Sequence, residues 1–424
     1  MEEQFDGEKP PSKRWGEFFP WRGVPKEDWD NWRWQLKNSI RNVEQLGNII
    51  QLTDIEKLRI KMVSSVYPMF FTPYYFSLIN FYDPEDPIKK QIIPSFLELT
   101  EDTGYEEDDP LNEEKESPCS GITHRYSDRV LLITTNFCAS FCRHCTRKRI
   151  FTKAFSMKGK FILDSVVGYI KEHEEIRDVI VSGGDPLTLP FKRFDNILKR
   201  LREIPHVEII RIGTRIPVVL PQILYDRNLL EILERYGPIW VNTHFNHPNE
   251  ITEESSKAIE NLLRIGIPVN NQTVLLKGVN DSAETLIALS RKLLRIKVRP
   301  YYLYHCDPVK GVNHFRTSIF KGIEILEKMR GNISGFGIPT YVVDSPGGNG
   351  KIPINPNYIL SFTEESVLLR SYRGKIIEYY PEGKRDRGEE IQKVSSIYNH
   401  GEKVKLIIGR SQFLRRKNAN RSRL

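Results

Sequence analysis

Apolar positions recur along this chain with two periods, and the switch between them marks its organisation. Over the first hundred residues the spacing is helical: Trp29, Trp32, Leu36, Ile40 and Val43 fall three or four positions apart, which predicts one buried helical face. A second helix is expected over Asp54 to Val66. The stretch 101–116, EDTGYEEDDPLNEEKE, keeps no period and reads as a solvated acidic connector. From about residue 128 short β-branched runs take over, at 130–134, 179–182, 207–212, 239–243, 269–276 and 298–304. After the first they start about 30 residues apart, the repeat of strand–helix units in a parallel sheet.

Helix signals fill the gaps. Thr252 suits an N-cap for a helix burying Ile259, Leu262 and Leu263, and Gly266 stops it. Asp281 with Glu284 resembles a capping box for the helix carrying Leu286, Leu289 and Leu293. Six such units predict an α/β fold, a partial (β/α)6 TIM-like barrel whose working face is the set of loops after its strands. An open doubly wound sheet is the competing arrangement. A further strand over 340–343, a Gly-rich turn and hairpin-like alternation through Tyr380 follow. The expected divisions are a helical region with its connector (1–116), the partial barrel (117–336), a β-containing C-terminal segment (337–385) and a charged basic tail (386–424).

Composition narrows the class. With 424 residues, 39% of them apolar, the chain has ample core material, and wholesale disorder is excluded. Its greasiest stretch, 67–79, is broken by Pro68 and Pro73 and falls short of the ~18 residues of a spanning helix. The start, MEEQFDGEKPPSKRW, lacks the apolar run of a secretory signal, so a cytoplasmic protein with no membrane partner is expected. The net charge of +8 sits partly in the tail, where Arg410, Arg415, Arg416, Lys417, Arg421 and Arg423 crowd together. No aromatic RNP strand or zinc-finger spacing accompanies them, so a solvated terminus is preferred to a nucleic-acid partner.

Five cysteines, an odd and small number, argue against a disulfide framework. Cys138, Cys142 and Cys145 fall within eight positions, spaced CxxxCxxC, directly after the first expected strand. In a reducing compartment such a group binds metal. Four thiolates complete a [4Fe–4S] cluster, whereas three leave one iron open to an outside ligand. Zinc is the competing metal, but it usually takes four ligands and His144 is awkwardly placed to be one.

This spacing after a first barrel strand resembles the radical S-adenosylmethionine (SAM) enzymes. The resemblance implies a [4Fe–4S] cluster whose open iron is chelated by SAM, which an electron from the cluster cleaves to methionine and a 5′-deoxyadenosyl radical. Ser182-Gly183-Gly184-Asp185-Pro186, at the end of the second strand, is similar to the family's Gly-Gly-acid turn, which holds the methionine ammonium of SAM. Alone, that motif would be an ordinary turn.

Asp344-Ser-Pro-Gly-Gly-Asn-Gly-Lys351 is not a Walker A loop, because Ser345 and Ile352 stand where a glycine and a Ser or Thr are needed. Either it is a bare turn with an exposed lysine, or its glycines bring backbone close to a ligand beside an imine-forming lysine. Here the resemblance narrows to the lysine 2,3-aminomutases, which combine radical SAM chemistry with pyridoxal phosphate (PLP). Matching blocks run from Trp34-Gln-Leu-Lys and Thr72-Pro-Tyr-Tyr through Thr123-His-Arg-Tyr-Ser-Asp-Arg129 and Cys145-Thr-Arg147. They continue through His244-Phe-Asn-His-Pro-Asn-Glu250, Arg299-Pro-Tyr-Tyr-Leu-Tyr-His-Cys-Asp307 and His314-Phe-Arg-Thr317 to the glycine turn.

The resemblance implies roles at matching positions. Lys351 would bond PLP, with Arg125, Tyr126 and Arg129 gripping that cofactor. Gly183, Gly184, Asp185, His144, His244 and Gln272 would surround SAM. Arg147 would meet the substrate α-carboxylate, and Asp307 with Asp344 the distal ammonium of lysine. The implied reaction is L-lysine to L-β-lysine, with the α-amino group migrating to C3. A γ-carboxylate facing two aspartates would be repelled, so glutamate fits less well than arginine as an alternative substrate. A radical SAM enzyme acting on nucleic acid is the reading from another class. A reductant such as flavodoxin or ferredoxin and a homo-oligomer are also expected. Characterised members add a structural zinc through C-terminal cysteines and one at the place of Ser282; this chain has no cysteine after Cys306, so that zinc is not expected.

Overall fold

The computed structural model describes residues 21–152, 159–363 and 366–380. Its centre is a nine-stranded sheet in simple sequential order: β1 (Ile122–Tyr126), β2 (Arg129–Ile133), β3 (Asp178–Ser182), β4 (Ile209–Gly213), β5 (Ile239–Thr243), β6 (Val269–Leu275), β7 (Arg299–His305), β8 (Thr340–Asp344) and β9 (Lys351–Pro353). Strands β2 to β8 run parallel, while β1 and β9 close the two edges antiparallel. Two departures from the sequence reading stand out. β1 lies in a segment that reads as a binding block, because its alternation spans only five residues. The strand assigned to a C-terminal segment is β8, which pairs with β7 and makes a seventh parallel strand.

The helices obey their caps. Thr53 closes a capping box on Asp54–Val66, and Thr252 accepts from Ser255 N–H at the start of Glu253–Arg264. The cap of Ala283–Arg295 is Ser282, one residue beyond the expected Asp281, which instead accepts from Gly278 N–H. The expected face from Trp29 to Val43 is not one helix. Asn31 and Asn42 each accept a backbone N–H and start new helices, Trp32–Lys37 and Val43–Gly47, while Ile40 forms a bridge to Phe71. Local side-chain capping has overridden the apolar period. The buried set is nevertheless the expected one at Trp29, Ile40 and Val43.

This compact unit ends at Pro356. A second begins at Asn357, and its described part is an antiparallel three-stranded sheet: β10 (Ile359–Phe362), β11 (Val367–Arg370) and β12 (Ile376–Tyr379). The tail 386–424 lies outside the described residues. Among the described residues no helix is long and apolar enough to cross a membrane.

Candidate active site

Loops from the carboxyl ends of the parallel strands surround a cavity of about 570 Å³. Lys351 opens β9 and is the register partner of Asp344, the last residue of β8. Across this pair Lys351 Nζ lies 3.0 Å from Asp344 Oδ1. The tight turn between them needs its glycines. Gly348 has φ +89, and a Cβ there would sit 2.6 Å from Glu116 Oε1. Tyr126, on β1, anchors the lysine by accepting its backbone N–H at 2.9 Å.

Asp307 follows β7 and lines the same cavity. Burial and then the charge of Asp344 push its carboxyl up to about 7, although Thr146 Oγ1 donates to it at 2.9 Å. Two carboxylates here face one ammonium, that of Lys351. The site has room for a second positive charge, which would let Asp307 ionise.

Arg147 lines the same cavity. Glu113 grips it with two-point geometry, accepting from Nε at 2.9 Å and from Nη2 at 2.6 Å, and also takes a bond from Arg149 at 3.0 Å. Burial alone would raise the Glu113 carboxyl, but the two guanidiniums hold it down to about 2. Glu113 and Glu106 are both buried. Much of the acidic stretch is exposed, at Glu101, Asp102, Glu107, Asp108 and Glu114, as a solvated connector would be, but Glu113 turns inward to meet the cations after the cysteine loop. Arg125 is held likewise, by Glu116 at 2.6 Å and by the Leu111 carbonyl. Arg129 pairs with Asp128 at 2.8 Å and stands over the Tyr126 ring. Both guanidiniums already bind carboxylates, so a phosphate dianion would replace a partner in kind.

The cysteine loop leaves the end of β2 and is pinned by the N-terminal region. Phe141 N–H donates to Phe70 O (2.8 Å) and Arg143 N–H to Gln91 O (2.9 Å). Phe70 packs its ring against Phe137 and Phe141, giving the loop an apolar cover. Beneath it, Glu98 is fully buried between Arg143 and Lys148. The thiols feel one another: burial, Asp185 and the other two cysteines raise Cys138, and burial with Cys142 raises Cys145 to about 11. Cys138 and Cys145 so placed resist becoming bare thiolates, and a cationic group that binds them removes that repulsion. Among the described residues no three His, Cys, Asp or Glu side chains gather as for a single metal ion. A polynuclear cluster does not need such convergence, since each thiolate binds its own iron.

The Gly-Gly-acid turn closes against this loop. A Cβ on Gly184 would lie 2.3 Å from Phe137 O, and one on Gly183, where φ is +116, 2.6 Å from Thr135 O. Asp185 N–H donates to Phe137 O (2.8 Å). The Asp185 carboxylate points its bonding elsewhere, accepting from Thr214 Oγ1 at 2.7 Å and from Arg215 N–H at 2.7 Å. Burial nevertheless lifts it to about 6.

His144, His244 and Gln272 all line the cavity. Burial, with Arg215 next, keeps both histidines neutral, His244 at about 4. His144 Nε2 meets Asn246 Nδ2 at 3.2 Å, and its buried Nδ1 has no partner, leaving a polar atom for a ligand. Gln272 Nε2 donates to Tyr304 OH (3.0 Å). Ten of the site residues expected from sequence thus share one cavity, while the cysteines and the Gly-Gly-acid turn form the ground beside it. Glu113, Thr146 and Arg215 were not foreseen. The signal for Glu113 was the run Arg147-Lys148-Arg149, and for Arg215 its place just past β4.

A half-closed parallel sheet with a three-cysteine loop after its first parallel strand defines the radical SAM enzymes, and the radical SAM superfamily model matches residues 132–289. A second model, described as lysine-2,3-aminomutase, matches residues 326–422. The putative L-lysine 2,3-aminomutase of Aquifex aeolicus is 54% identical over 84% of this chain and 96% of its own length. The L-lysine 2,3-aminomutase of Acetoanaerobium sticklandii is 49% identical over 84% of this chain and 86% of its own. The chain belongs to the lysine 2,3-aminomutase family. A glutamate 2,3-aminomutase from Clostridioides difficile is also similar, 46% identical over 83% of each chain.

Proposed function

We propose that the chain is a PLP-dependent L-lysine 2,3-aminomutase, moving the α-amino group of lysine to C3. The observation that carries the choice of substrate is the acidic end of the cavity, where Asp307 and Asp344 face the single ammonium of Lys351. That ammonium stands in for the distal ammonium of a bound lysine. Overall similarity does not choose between lysine and glutamate, since relatives of both names match at comparable identity. The charge of the pocket supports lysine: a γ-carboxylate placed against two acids is repelled, whereas an ammonium lowers the energy of both.

Cys138, Cys142 and Cys145 are the residues to hold the cluster, and the Gly-Gly-acid turn with His144, His244 and Gln272 those to surround SAM. Lys351 would bond PLP, with Arg125 and Arg129 for its phosphate and Tyr126 fixing the lysine's backbone. When bound, the cluster and SAM supply a carbon radical for C3, and PLP a π system able to delocalise the neighbouring unpaired electron. The protein's own share is placement. Arg147, oriented by Glu113, receives the α-carboxylate; the acids receive the far end; the lysine is thereby stretched between two fixed anchors. Phe70, Phe137 and Phe141 pack their rings together and give the cysteine loop apolar neighbours.

The test is an anaerobic assay of reconstituted protein with SAM, dithionite and PLP, offering lysine, arginine and glutamate in parallel. β-Lysine as the main product is expected. Turnover of glutamate alone would overturn the assignment of the two acids, and turnover of arginine alone the assignment of lysine.

A further inference from the structure

Arg215 lies just past β4 and is 8% exposed. Its guanidinium Nη1 donates to Cys142 Sγ at 2.8 Å. Nη2 donates to Gln91 Oε1 (2.6 Å), Tyr75 OH (2.8 Å) and Glu250 Oε1 (2.8 Å), and Nε to the His244 carbonyl (3.2 Å). Glu250 is fully buried and is fixed in turn by Tyr75, Gln91 and the backbone N–H groups of Asn246 and His247. A planar fork held at every edge cannot swing away, so the contact to sulfur is built in. By contrast Cys145 Sγ accepts a neutral backbone N–H, from Arg147 at 3.3 Å. Cys142 Sγ thus accepts a charged N–H where Cys145 Sγ accepts a neutral one.

We infer that Arg215 sets the reduction potential of the iron–sulfur centre through a charge-assisted N–H···S bond to Cys142. Reduction adds an electron whose charge spreads onto the sulfur ligands, and a cation hydrogen-bonded to one of them stabilises the reduced form more than the oxidised. The bond therefore raises the potential and makes the first electron easier to accept. This rests on Cys142 being a cluster ligand, as proposed above. Arg215 touches neither cavity nor reacting atoms; it is a positioning residue.

Potentiometric titration of the reconstituted protein, followed by electron paramagnetic resonance, tests it. Arg215→Lys keeps a cation beside Glu250 but loses the fork, and the pair Arg215→Gln with Glu250→Gln avoids leaving one buried charge alone. Tyr75→Phe loosens the same network without touching sulfur. At fixed potential the reduced-to-oxidised ratio is expected to fall about tenfold in both Arg215 variants, about 59 mV for a one-electron couple, with Tyr75→Phe matching the wild type. An unchanged ratio in Arg215 variants that retain full iron and sulfide overturns the inference. So does an equal fall in Tyr75→Phe, or loss of the cluster from both Arg215 variants, which would make the residue a structural prop. A wild-type protein that assembles no four-iron cluster would instead sink the assignment of the cysteines, and this inference with it.

Discussion

Lys351 and Asp344 are cross-strand partners, and the 3.0 Å contact between their charged ends is a product of β8–β9 register rather than of loop conformation. The strand ladder delivers an amine and an acid to one point of the cavity. Lys351→Ala is expected to abolish both turnover and the visible absorbance of protein-bound PLP, while iron and sulfide content stays at the wild-type level. Retention of that absorbance would show that another residue bonds the cofactor.

Asp307→Asn and Asp344→Asn should each weaken lysine use. A hydrogen bond to a charged group contributes about 1.5–3 kcal/mol, so kcat/KM for lysine should fall by roughly ten- to a hundredfold, chiefly through KM. Steady-state kinetics on both variants check this; a fall in kcat alone would place the acids elsewhere in the reaction.

The raised Asp307 carboxyl makes stability depend on pH in a definite direction. Below about 4 the group is protonated folded and unfolded, and contributes nothing to the difference. Between there and about 7 the folded protein holds a proton that the unfolded chain has lost, so folding grows less favourable as pH rises through this window. Denaturant unfolding at several pH values should show Asp307→Asn gaining stability over the wild type at pH above 7 and little at pH 4. Parallel curves would mean that Asp307 is ionised throughout.

Glu113 behaves oppositely. Its depressed carboxyl adds stability that is present above its ordinary range and lost as pH falls toward about 2. Glu113→Ala takes the two-point partner from Arg147 at the cavity wall, while Arg149 keeps Asp109 at 3.1 Å, and should cost roughly 3–5 kcal/mol, read by denaturant unfolding. Glu113→Gln should fold better and yet raise KM for lysine, because Arg147 loses its two-point clamp.

Gly184→Ala tests the seam between the two motifs. Its methyl group would meet Phe137 O at 2.3 Å, forcing the cysteine loop outward. Reconstituted iron content should fall sharply in this variant while the far-ultraviolet circular dichroism stays that of the wild type; full iron loading would show that the loop has slack.

The parallel strands were legible because short β-branched runs with one fully buried face recur at a regular spacing; observed bounds differ from the expected ones by two residues at most. The cap at Thr252 could be read because capping is local to the residues around it. The membership of β8 in the sheet could not, since pairing with β7 is a tertiary fact absent from its own five residues. The cavity residues were reachable through ordered motifs and resemblance. Glu113 was hidden among neighbouring acids of identical chemistry, and only the fold decides which of them turns inward. Arg215 carried a weaker clue, its position after a strand, which is where such barrels keep their working groups.

The pairing with arginines of Glu113 and Glu116, within the acidic stretch 101–116, has a consequence for dissecting the molecule. A fragment trimmed to begin after them would keep every cysteine and every strand, yet its Arg147 and Arg149 would lose Glu113 and its Arg125 would lose Glu116. What looks in the sequence like a tether is one side of the reaction chamber, so the barrel alone is not a minimal enzyme.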